Sequence, residues 1–243
     1  MGLKNSTQLP STFIEFSECK NITIIIIYDN TYFFLKIQTN SHLLLSLITL
    51  TTSTNTNTNS IGPWPRTQAL LKAYIDGEYD FGIDQAIVMS LVGCEAAEAN
   101  ALIDSHAKND SGIINGLTFL ITIISVCDIT QRNESGRLHS IFDLFDFNRL
   151  GRISQDEFTI MLICVTSSYA IILDRKKEMP SDETLITATK QIYTALGKKS
   201  KSPITKQEFQ QYLSEIFWNK NIYGVDAMFD ALLKGLIVDD EKK

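Results

Sequence analysis

The 243-residue chain is poor in the residues that most directly announce chemistry. It holds 4 cysteines, Cys19, Cys94, Cys127 and Cys164, and no two stand in CxxC spacing. Neither a zinc site nor a disulfide framework is therefore indicated, and a reducing compartment fits. The 3 histidines, His42, His106 and His139, have no cysteine or carboxylate at ligand spacing, which leaves them surface or packing roles. There is no P-loop, no Gly-x-Ser-x-Gly turn and no HExxH pair, so the sequence points away from an enzyme. Positive charge is the minority sign, 22 Lys and Arg against 28 Asp and Glu for a net charge of −6. A nucleic-acid partner would require clustered cations along its phosphates. The basic runs "DRKKE" and "GKKSK" are short and read as solvated turns.

Long apolar runs are also missing. The stretches "ITIIIIY" and "LLLSLITL" fall well short of the roughly 18 residues that a membrane-spanning helix needs, so none is expected. The opening "MGLKNSTQLP" lacks the basic start and apolar region of a secretory signal, and a cytoplasmic location follows as the expectation. Gly2 with Ser6 does match the N-myristoylation pattern, and membrane contact is expected only if Gly2 carries that lipid.

What the chain does have is divided unevenly. Over residues 1–61, β-branched and aromatic residues dominate "NITIIIIYDNTYFFLKI", with Asp29 and Asn30 placed as a hairpin turn. The low-complexity run "TTSTNTNTNS" and the breaker-rich "GPWP" follow. This reads as an N-terminal extension, β-rich or disordered, with a boundary near residue 62. From residue 66 onward apolar residues recur every three or four positions, the period of a helix packed along one face. Leu138, Ile141, Phe142 and Phe145 stripe one such segment, and Phe158, Met161, Leu162 and Val165 the next.

Between those two stripes lies "DLFDFNRLGRISQDEF", residues 143–158. A calcium ion takes six to eight hard oxygens, which a tight loop supplies from alternate positions as it curls round the ion. In the twelve residues from Asp146, Asn148 is third, Gly151 sixth at the sharp turn, Ser154 ninth and Glu157 twelfth. Arg152 at the seventh place offers its backbone carbonyl, and Ile153 at the eighth is apolar, as a strand pairing with a partner loop requires. The fifth place fails, because Leu150 brings no oxygen there. Arg149 and Arg152 further reduce the negative charge that helps set ion affinity.

Three other segments fit the same frame loosely. In "AKNDSGIINGLTF", Gly112 is sixth, Ile114 eighth and Phe119 follows the loop, but Ala107 and Thr118 replace the end ligands, so Asn109, Ser111 and Asn115 make a poor cage. In "GKKSKSPITKQEF", Ile204 is eighth and Glu208 twelfth, while Gly197, Lys199 and Ser202 stand where ligands and glycine belong. That loop is cationic and should bind no calcium. In "DGEYDFGIDQAI", Asp76, Glu78, Asp80 and Asp84 fall on ligand places, but Phe81 occupies the glycine place and Ile87 that of the bidentate glutamate. Ile83 is then expected to pair with Ile114 and Ile153 with Ile204, with Phe119, Phe142, Phe145, Phe158 and Phe209 in the core.

The loop of residues 146–157 resembles an EF-hand, meeting four of the five specified places of that signature. The chain from about 66 to 220 is similar to diverged four-hand members of the calmodulin superfamily. The run "SIFDLFDFNRLGRISQDEFTIML" and the "RKKEMPSDET" insertion look most like neuronal calcium sensors and the calaxin type of axonemal sensor. The resemblance implies a mainly α fold of two pairs of helix-loop-helix hands, residues 62–130 degenerate and 131–243 carrying the better loop and a C-terminal helix. It implies a weak site for calcium, or magnesium, at Asp146, Asn148, Arg152, Ser154 and Glu157. It also implies a protein partner, an amphipathic helix or a larger assembly, bound by an adaptor. The alternative is a calcium-independent structural subunit of a ciliary, axonemal or cytoskeletal complex.

Overall fold

The computed structural model describes strand segments 12–16, 22–28 and 31–37, then residues 63–77, 79, 81–106, 112–128, 134–199 and 202–213. Outside the described residues lie Gly2, the low-complexity run, Glu78, Asp80, Ala107 to Ser111 and the C-terminal stretch with Trp218, Met228, Phe229, Leu232 and Leu233. The chain divides into two compact units, Met1–Asn40 and Ser41–Lys243.

The first unit is an antiparallel sheet of β1 (Thr12–Phe16), β2 (Ile22–Tyr28) and β3 (Thr31–Ile37), in that order. Strand formation follows from the density of Ile, Thr, Tyr and Phe, whose branched or flat side chains suit a pleated backbone. The β2–β3 register ends with Tyr28 opposite Thr31, so residues 29 and 30 connect the two strands.

The second unit is mainly helical. Its elements are α1 (Pro63–Asp76), β4 (Gly82–Ile83), α2 (Gln85–Val92), α3 (Ala96–Ser105), β5 (Ile114–Asn115), α4 (Gly116–Asp128), α5 (Glu134–Phe145), β6 (Arg152–Ile153), α6 (Gln155–Ile172), α7 (Asp182–Ala195), β7 (Ile204–Thr205) and α8 (Lys206–Leu213). A 3-10 turn, Lys176–Glu178, precedes α7. Pro63 and Pro65 fall in the first turn of α1, where a missing N–H leaves no intrahelical bond unmade. Ser181 caps α7, its Oγ accepting the Thr184 amide, with Asp182 and Glu183 favourably placed in the first turn.

Two two-residue strand pairs organise the helices. Ile83 faces Ile114 and Ile153 faces Ile204, the two pairings read from the sequence. All four isoleucines are 0–1% exposed. Phe119, Phe142, Phe145, Phe158 and Phe209 are buried as expected. In the second half their rings form a chain: Phe142 meets Phe209 at 5.4 Å, Phe209 meets Phe158 edge-on at 6.3 Å, and Phe158 meets Tyr193 at 5.9 Å.

The two halves of this unit meet through α4 and α6. Residues 116–125 of α4 and 168–172 at the end of α6 are buried without a break, so neither segment keeps a solvent face. Inside this apolar contact sits a polar thread. His106 Nδ1 donates to the Leu102 carbonyl at 2.8 Å, its Nε2 is 3.4 Å from Thr122 Oγ1, and Thr122 Oγ1 is 3.0 Å from Ser168 Oγ on α6. Burial holds the His106 imidazole down at about 4. Among the described residues no single helix is long and apolar enough to cross a membrane.

Candidate functional site

Each strand pair is built from two loops of the same plan, which shows when the twelve-residue frames starting at Asp76, Ala107, Asp146 and Gly197 are compared. The eighth residue is the buried isoleucine. The residue after the frame is Val88, Phe119, Phe158 or Phe209, each 0–4% exposed. The ninth residue caps the outgoing helix by accepting the amide of the twelfth: Asp84 from Ile87 at 2.9 Å, Asn115 from Thr118 at 2.9 Å, Ser154 from Glu157 at 3.2 Å, Thr205 from Glu208 at 3.3 Å. In each pair the carbonyl of the sixth residue in one loop accepts the amide of the tenth in its partner, Phe81 from Gly116 at 2.7 Å and Gly151 from Lys206 at 3.2 Å. Gly112 and Gly151, both sixth, have φ of +77° and +67°. A β-carbon at either would meet nothing within 4 Å, so backbone conformation alone asks for glycine there.

Of the candidate ligands in the frame at 146–157, only Ser154 and Glu157 contact each other. Asp146 ends α5 and is 7% exposed, its Oδ1 accepting the Leu150 amide at 3.0 Å and its Oδ2 the Gly151 amide at 2.7 Å. Ser154 and Glu157 form a reciprocal capping box: Glu157 Oε2 accepts the Ser154 amide at 2.6 Å while Ser154 Oγ accepts the Glu157 amide. Asn148 is exposed, as is Arg152, whose backbone runs in β6. Leu150, at the deficient fifth place, is 61% exposed and turned away from packing.

The chemistry of this donor set is that of a hard cation: two carboxylates, an amide, a hydroxyl and a carbonyl, all oxygen. Among the described residues no three His, Cys, Asp or Glu side chains converge on one point. Both carboxylates already serve backbone amides, so an ion here competes with hydrogen bonds that hold the loop by themselves. Arg149 is in the left-handed region with φ of +54°, a conformation costing a non-glycine residue roughly 1 kcal/mol. Its amide donates to the Asp146 carbonyl at 2.9 Å.

This double use of Asp146 gives a measurable outcome without metal. Asp146→Ala strands the Leu150 and Gly151 amides and is expected to cost about 2 kcal/mol by urea unfolding in EDTA. A loss near zero would mean that the carboxylate is held there only for an ion.

The ring of Phe147, 41% exposed, lies 5.5 Å from that of Phe81, 57% exposed, joining the first and third loops at the surface. Spacing did not reveal this contact. Nor did it reveal that Asp84 is a helix cap, although an Asp at the head of an apolar-periodic run is the signal for one. The lysines read as solvated turns are also engaged, Lys176 Nζ on the Ser105 carbonyl at 2.6 Å and Lys198 Nζ on Glu208 at 2.7 Å. No protein-family model matches the chain, and a search of curated proteins returns no match.

Proposed function

We propose that the helical part of the chain is an EF-hand-like adaptor of the calmodulin-superfamily type, binding a protein partner and holding at most one weak calcium or magnesium site, at residues 146–157. The observation that supports this reading is the fourfold recurrence of one loop plan, with its eighth-residue pairing, ninth-residue cap and buried thirteenth residue. A recurring frame of this kind fits a scaffold of paired hands.

The second reading is a calcium-independent structural subunit of a cytoskeletal or ciliary assembly. Two observations favour it. The carboxylates of the best loop are satisfied by backbone amides, and α4 and α6, which an ion-driven opening would have to part, are buried against each other and joined by the Thr122–Ser168 hydroxyl contact. Purification of the full chain from its native source, with co-migrating chains identified in 1 mM calcium and again in EGTA, separates the two. Partners held only with calcium fit the responsive adaptor; partners held equally in both fit the structural subunit. A chain that migrates alone in both would sink both readings.

A further inference from the structure

We propose that Lys198 is a built-in cation for the last loop: its ammonium takes the place that a divalent ion would fill among residues 197–208 and fixes the second pair of loops without metal. In a twelve-residue ion loop the seventh residue gives its carbonyl and the twelfth its carboxylate. Here the seventh and twelfth are Pro203 and Glu208. Lys198 Nζ donates to the Pro203 carbonyl at 3.2 Å and lies 2.7 Å from Glu208 Oε1. One ammonium therefore bridges the middle of the loop and its last residue.

The lysine is well placed to do so. Its own amide donates to the Tyr193 carbonyl at 2.8 Å, at the end of α7, where Gly197 takes φ of +66° and turns the chain. The second residue of the loop is thus anchored, and its side chain reaches across to the far end. Lys198 is 21% and Glu208 38% exposed at the side chain, a partly shielded pair. The other oxygen of Glu208 accepts from the amide and the hydroxyl of Thr205, both at 2.9 Å, so the carboxylate is held on two sides. The Lys198 hydrogen bond is the first cause holding the Glu208 carboxyl below its usual range.

Closing this loop has a consequence next door. Lys206, its tenth residue, donates its amide to the Gly151 carbonyl and its Nζ to both oxygens of Asp143, each at 2.7 Å. The fourth loop thereby presents β7 to β6 in fixed register. In the loop of 146–157 the second residue is Phe147, which offers no such cation. The two members of the pair differ in the residue that decides whether an external ion has a place.

The inference rests on the loop correspondence and not on calcium, so an ion titration that finds no site at 146–157 leaves it standing. Hydrogen exchange of the Lys206 amide, followed by NMR on the full chain in EDTA, tests it. Lys198→Met should speed exchange about fivefold, the size of a partly shielded ion pair, while Lys198→Arg stays within twofold of the parent. Glu208→Gln should speed it similarly, and the double variant no further. Exchange within twofold of the parent for Lys198→Met, arginine behaving like methionine, or effects that multiply in the double variant would each overturn the proposal. Should Lys198→Met not fold, the parent decides: its Glu208 carboxyl must titrate below the ordinary glutamate range, and an ordinary value contradicts the bridge.

Discussion

Phe142→Ala is expected to lower the unfolding free energy by about 4 kcal/mol, among the largest effects of any single substitution in this chain. The ring is fully buried, on the stripe of α5 that faces inward, and it meets Phe209 of α8 at 5.4 Å. Phe209 in turn touches Phe158, so removing Phe142 opens a cavity against the middle of an aromatic chain rather than at its end. Surrounding helices fixed by strand pairs and caps have little freedom to collapse into it. Domains of this kind are stable by roughly 5 to 15 kcal/mol, so the variant should be marginal at 37 °C. Ile160→Ala, on α6 but 40% exposed, is the control and should cost no more than about 0.5 kcal/mol in the same urea titration. Similar losses at the two positions would contradict the core described above.

The second large effect is on acid stability. The His106 imidazole is 5% exposed and packed 5.6 Å from the Phe119 ring, with a folded-state value of about 4 against an ordinary 6.5. Burial is the main cause, the Leu102 hydrogen bond opposes it, and the Lys176 ammonium pushes the same way as burial. Because the folded value is the lower one, the unfolded chain takes up the proton first. The contribution is therefore fully present above pH 6.5, declines as pH falls from 6.5 toward 4, and amounts to about 3 kcal/mol across that window. His106→Gln, which keeps hydrogen-bonding capacity without a titrating ring, should flatten that part of the stability profile. Parent and variant losing stability in parallel from pH 6.5 to 4.5 would assign the acid sensitivity elsewhere.

Much of the helical unit was legible because its constraints are local. An apolar residue at the eighth place of each loop and an aromatic or branched one after the twelfth are read from spacing alone, and Ile83, Ile114, Ile153 and Ile204 pair as that spacing requires. The capping boxes at Ser154 and Glu157 and at Thr205 and Glu208 were equally open to reading, since a hydroxyl residue three places before a glutamate is their signature. The packing of α4 on α6 was not legible. Both are buried all round over this stretch, small hydroxyl residues such as Thr122 and Ser168 included, so polarity marks no solvent face and cannot say which helix covers which. Lys198 was missed for a different reason. Whether a lysine in "GKKSK" points to water or closes onto Glu208 depends on a left-handed turn at Gly197 and the position of Pro203, and both are properties of the folded loop.

Spacing names the candidate oxygens of 146–157 but not the hydrogen bonds that they already make. Asp146 and Glu157 read as ligands because of their places in the frame, and the same places make them acceptors for the Leu150, Gly151 and Ser154 amides. An ion gains only what exceeds those bonds. Loops with a full ligand set in sensors bind calcium at about 10⁻⁷ to 10⁻⁵ M, and this one lacks an oxygen at Leu150 and includes two arginines, Arg149 and Arg152.

Residues 146–157 are proposed to form a weakened ion loop in a scaffold that holds itself together without the ion. Calorimetric titration of calcium into the parent, Leu150→Asp and Glu157→Gln tests it most directly. Expected are weak binding to the parent, binding at least about tenfold tighter in Leu150→Asp, none in Glu157→Gln, and the same helical circular dichroism for all three in EDTA. A parent that takes up nothing at millimolar calcium, together with a Leu150→Asp variant that gains nothing, would contradict it.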